Sequence, residues 1–148
     1  MISIQFNRNS LRSFTQYLNG LQNQVKDLVR AEIEDSMLKI ESESAQIVPV
    51  DLGFLKNSIQ STPMTVNNNE IKGGVEVGAA YAPFVEFGTG TRVNVPSELN
   101  TFARQFKGNN IKAVNLPARP FFYPQVHIQK EELPRRIERS LQILLNRR

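Results

Sequence analysis

The sequence predicts an α+β protein in which a long N-terminal helix and a C-terminal helix pack on a small antiparallel β-sheet. Three observations lead to this prediction. An apolar stripe with helical spacing runs from Leu21 to Ile47, and a second one runs from Leu133 to Leu144. Between them, residues 62–77 alternate apolar and polar positions around a run of asparagines, which is typical of a β-hairpin. A long loop between residues 88 and 118 separates the hairpin from the C-terminal helix.

Length and composition indicate one domain, residues 1–148, with a single hydrophobic core. Apolar residues make up 40% and charged residues 22%, as in ordinary globular proteins. The chain has no cysteine, which excludes disulfides and zinc-thiolate sites. It shows neither a signal peptide nor an apolar run of the ~20 residues that span a bilayer, so we expect a cytoplasmic product without membrane contact.

The N-terminal third is predicted to be mainly helical. Alternating apolar residues predict a short strand at 2–6, and Asn9 or Ser10 can cap a short helix that ends or kinks at Asn19–Gly20. A longer helix follows, and its stripe consists of Leu21, Val25, Leu28, Val29, Ile33, Met37, Ile40 and Ile47. This helix would be roughly 40 Å long, so we expect one end to pack on a neighbour or to project.

A second, shorter helix follows two breaks in the chain. Pro49 ends the long helix, because the residue before a proline avoids the α region. Asp51 can then cap a helix over residues 52–59, on which Leu52, Leu55 and Ile59 share one face. In the hairpin beyond it, Gly73–Gly74 predicts a β-bulge.

The C-terminal third begins with a loop and ends with a helix. Within the loop, residues 102–106 are expected to form one helical turn, and three prolines keep 116–124 extended. Pro134 is expected in the first turn of the final helix, with Glu131 and Glu132 near its positive end. Five arginines are expected to face water, an acidic partner or DNA, namely Arg135, Arg136, Arg139, Arg147 and Arg148.

No residue pattern points to catalysis, a metal or a cofactor. His127 is the only histidine, and no serine lies in a G-x-S-x-G elbow. Metal-ligand spacing such as H-E-x-x-H is absent. The stretch G88-T-G-T91 lacks the lysine of a P-loop and the third glycine of a dinucleotide-binding motif. We therefore predict that the protein is not an enzyme and has no catalytic, cofactor-binding or metal-binding residues.

The stretch Y81-A-P-F-V-E-F-G-T-G-T-R92 surrounds one carboxylate, Glu86, with apolar residues. A helical turn would place Tyr81, Phe84 and Phe87 on one side and direct Glu86 elsewhere. Two interpretations stay open, because a carboxylate is costly to bury alone. The stretch packs in the core, or Glu86 lies at an interface and pairs with an arginine of this chain or a neighbour. The candidate arginines are Arg92, Arg104 and Arg119.

Three stretches, in this order, resemble the tail-completion (head–tail joining, or neck) proteins of long-tailed bacteriophages. They are V48-P-V-D-L-G-F-L-K-N-S-I59, V77-G-A-A-Y-A-P-F-V-E-F-G-T89 and A118-R-P-F-F122. The resemblance extends from about Leu21 to the C-terminus. It departs at Leu52, where the family usually has threonine, and at Phe54, where a basic residue is common. The insertion between Gly90 and Leu116 is longer than the motifs require.

The resemblance implies a structural virion protein of the neck or tail, made in the host bacterial cytoplasm. Such a protein completes the tail, joins it to the head connector and forms a ring around the DNA channel. The implied partners are further copies of the chain, for which we expect six, the head connector or stopper, and the tail terminator or tail-tube proteins. Genomic DNA would pass through the lumen without sequence specificity.

The subunit interface of such a ring is a hypothesis about particular residues, which are Tyr81, Phe84, Glu86, Phe87, Thr89, Arg92, Arg119 and Phe121. Two alternatives stay open. One is a tail terminator or another minor tail protein of the same particle. The other is a nucleic-acid-binding accessory protein, which the basic C-terminal segment favours.

Overall fold

The longest element of the computed structural model is one continuous helix, α1 (Arg8–Ile47). The structure describes residues 8–49, 52–67, 70–103 and 115–146, so the strand predicted at 2–6 lies outside the described residues. The predicted end or kink at Asn19–Gly20 is wrong, because α1 passes straight through it. A glycine in a helix interior costs only about 1 kcal/mol, which the flanking helix formers outweigh. At 40 residues, α1 is roughly 60 Å long.

The C-terminal half of α1 carries the predicted apolar stripe into the body of the protein. Met37 and Val48 are buried, and most of the stripe between residues 25 and 40 is half-buried. Ile47 is exposed, because the chain leaves the helix there and Val48 takes its place in the core. The side chain of Glu41 fixes α1 to the hairpin, accepting hydrogen bonds from both the backbone N–H and the hydroxyl of Ser61.

The second helix, α2 (Gly53–Asn57), is shorter than predicted because Ile59 already belongs to the first strand. Leu55 is its fully buried residue. Leu52 stands at its N-cap without a side-chain hydrogen bond, and the predicted cap, Asp51, lies outside the described residues. Ser58 joins α2 to the element that follows the hairpin, because its hydroxyl donates to the carbonyl of Leu55 and accepts from the N–H of Ala79.

The predicted hairpin is present and begins earlier than expected. Its strands are β1 (Ile59–Ser61), β2 (Thr65–Val66), β3 (Ile71–Lys72) and β4 (Val75–Val77), and β1 pairs with β4 while β2 pairs with β3, both antiparallel. A bulge occurs at the predicted level of the hairpin, but its extra residue lies on the strand opposite Gly73–Gly74. Pro63 and Met64 stand opposite the single residue Gly73, so the pairing register shifts by one. A side chain at Gly73 would collide with Met37 of α1.

Two further helices complete the fold. Helix α3 (Ala82–Phe87) is followed by two short 3-10 turns at Gly90–Arg92 and Ser97–Leu99 and by α4 (Asn100–Ala103). The helical turn predicted at 102–106 therefore begins earlier, and residues 104–114 lie outside the described part of the chain.

The C-terminal helix, α5 (Tyr123–Asn146), begins eleven residues before Pro134, so the predicted position of that proline in the first turn is wrong. Pro124 occupies the first turn instead, where a missing N–H costs nothing. Glu131 and Glu132 consequently lie within the helix and away from its positive end. Helix α5 runs antiparallel to α1, since Arg136 contacts Ser36 and Ser140 contacts Glu32.

The core lies where α2, β1, α3 and the start of α5 meet the C-terminal end of α1. Its buried apolar residues are Val48, Leu55, Ile59, Ala79, Ala82 and Phe121. Leu55, Ile59 and Ala82 belong to α2, β1 and α3, whereas Val48, Ala79 and Phe121 lie in the connections next to α1, β4 and α5. The predicted α+β class is confirmed. No helix in the described part of the chain has the length and apolar character of a membrane span.

Candidate functional site

Helix α3 buries a different face from the one that the sequence predicted. Pro83 lies in its first turn, and Gly88 ends it with a φ of 77°, a conformation that favours glycine. Ala82 and Glu86, four residues apart, point into the protein together with Phe87. Tyr81 lies at the surface, where its ring contacts that of Phe54 at 6.4 Å. The prediction that Glu86 points away from the packed side is therefore wrong.

Glu86 is buried because it caps the N-terminus of α5. Only 6% of its surface is exposed, and its carboxylate accepts hydrogen bonds from three consecutive backbone N–H groups. The donors are Phe121 at 2.8 Å, Phe122 at 3.0 Å and Tyr123 at 3.0 Å. The first N–H groups of a helix have no partner within the helix, and they form its positive end. Since α5 has no acidic residue in its first turn, Glu86 supplies the negative charge from α3.

The carboxylate is thus satisfied within the chain without the arginine that the sequence suggested. The side chains of Arg92 and Arg119 are exposed, and Arg104 lies outside the described residues. A carboxylate that accepts several backbone N–H bonds is stabilised as well as one in an ion pair. The acid in this motif therefore joins two segments of one chain that are 35 residues apart.

The residues after Glu86 fasten the two ends of the long loop to each other. The N–H of Thr89 donates to the carbonyl of Leu116 at 3.0 Å, and the Thr89 hydroxyl accepts from the N–H of Leu116 at 2.8 Å. The N–H of Arg119 donates to the carbonyl of Val85 at 2.8 Å. Gly88 lies between them, where a Cβ atom would come within 2.7 Å of the backbone nitrogen of Ala118. We call residues 85–89 together with 116–123 the junction.

The junction explains why these residue types occur together. Glu86 caps a helix, Gly88 permits the turn and the close approach, and Thr89 pairs with the returning backbone. Sequence reasoning missed the groups that Glu86 binds, because they are backbone N–H groups of a helix whose start was predicted too late. The signal that could have revealed them is Pro124, which marks a first helical turn immediately after A118-R-P-F-F122.

The residues of the interface hypothesis now divide into two groups. Glu86, Phe87, Thr89 and Phe121 are buried within the single chain, and Phe84 is half-buried. The surface positions of that set are Tyr81, Arg92 and Arg119. The hypothesis stays a prediction for all eight residues.

A groove of about 560 Å³ opens beside the junction, between the end of β4, α3 and the first turn of α5. Gly78, Ala79 and Ala80 form one wall, and Phe122 and Val126 form part of the other. Tyr123 and Glu98 lie at its rim, where the Tyr123 hydroxyl donates to the Glu98 carboxylate at 2.9 Å. A backbone hydrogen bond at Glu98 and this hydroxyl lower the pKa of the Glu98 carboxyl, and the same bond raises the pKa of Tyr123.

Arg136 does not face solvent as predicted, because it lies between α5 and α1. Its guanidinium group donates to the carboxylate of Glu32 at 3.1 Å and to the side-chain oxygen of Gln129 at 2.9 Å, and it also bonds Ser36. Only 19% of its side chain is exposed. Arg135 and Arg139 are exposed as predicted, and Arg147 and Arg148 lie outside the described residues.

The N-terminal part of α1 is a second unusual surface. All nine residues from 12 to 20 are exposed, and we call them the α1 arm. Phe14 is 57% exposed and Leu18 is 45% exposed, and Tyr17 lies between them on the same side of the helix. Large apolar side chains in such a row are typical of a surface that contacts another molecule.

The described residues contain no cluster of His, Cys, Asp or Glu that could hold a metal ion. His127 is exposed and stacks on the ring of Tyr123 at 6.1 Å.

Residues 12–88 match the model of a protein family described as "Bacteriophage HK97-gp10, putative tail-component". The matched segment includes the whole α1 arm, α2, the hairpin and α3 with Glu86. No curated protein and no solved structure matches the chain significantly.

Proposed function

The chain belongs to the HK97-gp10-like family of phage tail components, and from this premise we propose that it is a neck protein that completes the tail and joins it to the head. In this role it forms a ring around the channel through which the genome passes. The family membership supports a structural component of the virion. The resemblance of three motifs to tail-completion proteins supports the more specific position in the neck.

The observation that carries the proposal is the α1 arm. A protein that acted alone in water would gain nothing from a helix extension that exposes Phe14, Tyr17 and Leu18 in a row. A subunit of an assembly, in contrast, can cover such a row with a neighbour. The junction supports the same view, because its hydrogen bonds hold both ends of the long loop on a rigid base. A loop on a rigid base is a common way to present a contact surface.

Charge supports the position of the ring around DNA. The segment from residue 90 to residue 119 contains one acidic residue, Glu98, and five basic ones, which are Arg92, Arg104, Lys107, Lys112 and Arg119. Its formal charge therefore equals the +4 of the whole chain. Positive charge attracts phosphates without reading sequence, and salt weakens that attraction. Such a contact suits a channel through which any genome sequence must pass.

Electron microscopy of phage particles that lack this protein tests the proposal. We expect filled heads and tails of normal length that do not join, and expression of the protein in trans should restore complete particles. Tails of abnormal length would indicate a tail terminator instead. Normally joined particles with a defect only in DNA handling would favour a nucleic-acid-binding accessory protein and would contradict the neck role.

A further inference from the structure

The two halves of α1 differ sharply in charge. Residues 13–24 contain no charged residue, whereas residues 25–47 contain nine. A helix surface that faces water is usually rich in charged residues, while the centre of a protein interface is depleted of them and enriched in aromatic ones. The arm therefore has the composition of a contact surface, and within the described part of the chain Phe14 and Leu18 remain exposed.

The arm extends past the end of the helix that covers the rest of α1. Because α5 runs antiparallel and Ser140 lies opposite Glu32, the end of α5 at Asn146 reaches only to about residue 26 of α1. The apolar row of the arm continues the row that α5 covers, through Leu21 and Val25. The row is thus covered up to the point where α5 ends and exposed beyond it.

The groove beside the junction lies near the opposite end of α1, and its surface complements that of the arm. Its walls are apolar, and the small residues Gly78, Ala79 and Ala80 allow a helix to approach closely. Glu86 contributes to its lining, but three backbone N–H groups hold that carboxylate. The exposed carboxylate of Glu98 lies beside the lining residues Leu99 and Tyr123, whereas the charged side chain of the arm is Arg12.

We propose that the α1 arm of one copy of this chain occupies the groove of the next copy, with Phe14, Tyr17 and Leu18 against its apolar walls. The arm cannot reach the groove of its own copy. The arm lies at the N-terminal end of α1, and the groove lies near the C-terminal end of the same helix. The two are therefore separated by roughly 40 Å along the axis of α1. A contact between two different surfaces repeats from copy to copy and closes into a ring when the rotation permits. This contact specifies how neighbouring copies meet in the ring of the proposed function, and it rests on that function.

The size of the surfaces indicates a weak individual contact. Phe14, Tyr17 and Leu18 together expose about 300 Å² of side-chain surface, given their exposed fractions and the usual area of such residues. A stable complex typically buries about 800 Å² on each partner. Two isolated copies should therefore associate only at high concentration, whereas a copy within a closed ring is held by two such contacts. We expect the ring to assemble on the tail or head and to be scarce in dilute solution.

Chemical crosslinking tests the contact directly, because the natural chain has no cysteine. One batch carries Leu18→Cys on the arm, and a second carries Ala80→Cys in the groove. The two are mixed at high protein concentration with a short bismaleimide crosslinker. We expect a covalent dimer in the mixture and little of it when either variant is treated alone. Gln16→Cys, on the opposite side of the arm, is the matched control and should crosslink to Ala80→Cys much less.

Two results would overturn the inference. Crosslinking of Leu18→Cys with itself would show that arms pair with arms, and the absence of any Leu18–Ala80 product at concentrations where sedimentation detects oligomers would show that the groove is not the site. Circular dichroism should first confirm that each variant is folded. If the crosslink is absent but the protein still restores head–tail joining, only the arm contact fails. If the crosslink forms but joining does not depend on the protein, only the neck role fails.

Discussion

The junction and the α1 arm differ in which groups they bury: polar groups are buried at the junction, whereas apolar side chains are exposed on the arm. At the junction a carboxylate and a hydroxyl are buried, and each has backbone partners within hydrogen-bond distance. On the arm, the large apolar side chains of Phe14 and Leu18 are exposed on the surface of the helix. The junction is complete within one copy, and the arm is not. We therefore expect changes at the junction to alter the free energy of unfolding, and changes on the arm to alter association alone.

Replacing the acid of the junction should have the largest effect on stability. Glu86→Ala removes the acceptor of three backbone N–H groups at and just before the start of α5, and we expect it to lower the free energy of unfolding by about 3 to 4 kcal/mol. Urea denaturation measures this change. Glu131→Ala, which removes an exposed acid of α5, should change it by less than about 0.5 kcal/mol. Equal effects of the two substitutions would mean that the cap contributes nothing.

A side chain at Gly88 should have the next largest effect. Gly88→Ala forces a Cβ atom against three backbone atoms and requires a positive φ, so we expect a loss of about 2 to 3 kcal/mol in the free energy of unfolding. Gly53→Ala is the matched control, because a Cβ atom there meets nothing within 4 Å. The control should be neutral or slightly stabilising, because Gly53 begins α2. The same urea titration compares the two variants, and a neutral Gly88→Ala would contradict the close approach at the junction.

The contact between α5 and α1 should be less sensitive. Arg136→Gln removes the ion pairs with Glu32 and Asp35, and we expect a loss of about 1 to 2 kcal/mol because the group is mostly but not fully buried. Arg135→Gln, its exposed neighbour, should leave thermal unfolding unchanged within error. If both variants melt at the same temperature as the natural protein, the network around Arg136 is not structural.

The arm should show the smallest effect on stability and a clear effect on association. Phe14→Ser combined with Leu18→Ser should change the free energy of unfolding by less than about 1 kcal/mol, because both side chains are exposed. Sedimentation velocity at high concentration should show that the double variant has lost the oligomers that the natural protein forms. Gln16→Ser, on the other side of the arm, should keep them. If the double variant still forms these oligomers, association does not depend on the arm.

The junction and the arm also differ in how far the sequence predicts them. Helical spacing from Leu21 to Met37 and the alternation around Ile71 are local patterns, and both elements were found where the patterns place them. Glu86 was singled out for a good reason, since a carboxylate among apolar residues needs partners. Its partners could not be identified from spacing, because they are backbone N–H groups at and just before the start of a helix, 35 to 37 residues further along the chain. The sequence does not show which backbone groups need an acceptor.

Local rules also led to specific errors, each with a physical cause. Local preference predicts Pro134 in the first turn of the final helix, although α5 continues through it because Glu86 and the contact with α1 stabilise the helix on both sides. Arg136 was assigned to the surface with its neighbours, although Glu32 and Ser36 of α1 attract it inward. In both cases contacts between segments that are distant in the sequence outweighed a local preference. Such contacts cannot be predicted from the spacing of residues along the chain.

Amide hydrogen exchange of the natural protein, free in dilute solution and assembled on particles, tests the contrast between the two regions most directly. We predict that amides of residues 12–20 exchange rapidly in the free protein and become slow in the assembly, since the end of a helix opens easily where its side chains are exposed. The amides of Phe121, Phe122 and Tyr123, which bind Glu86, should be slow in both states. Slow exchange of the arm in the free protein, or fast exchange of the arm in the assembly, would contradict the account.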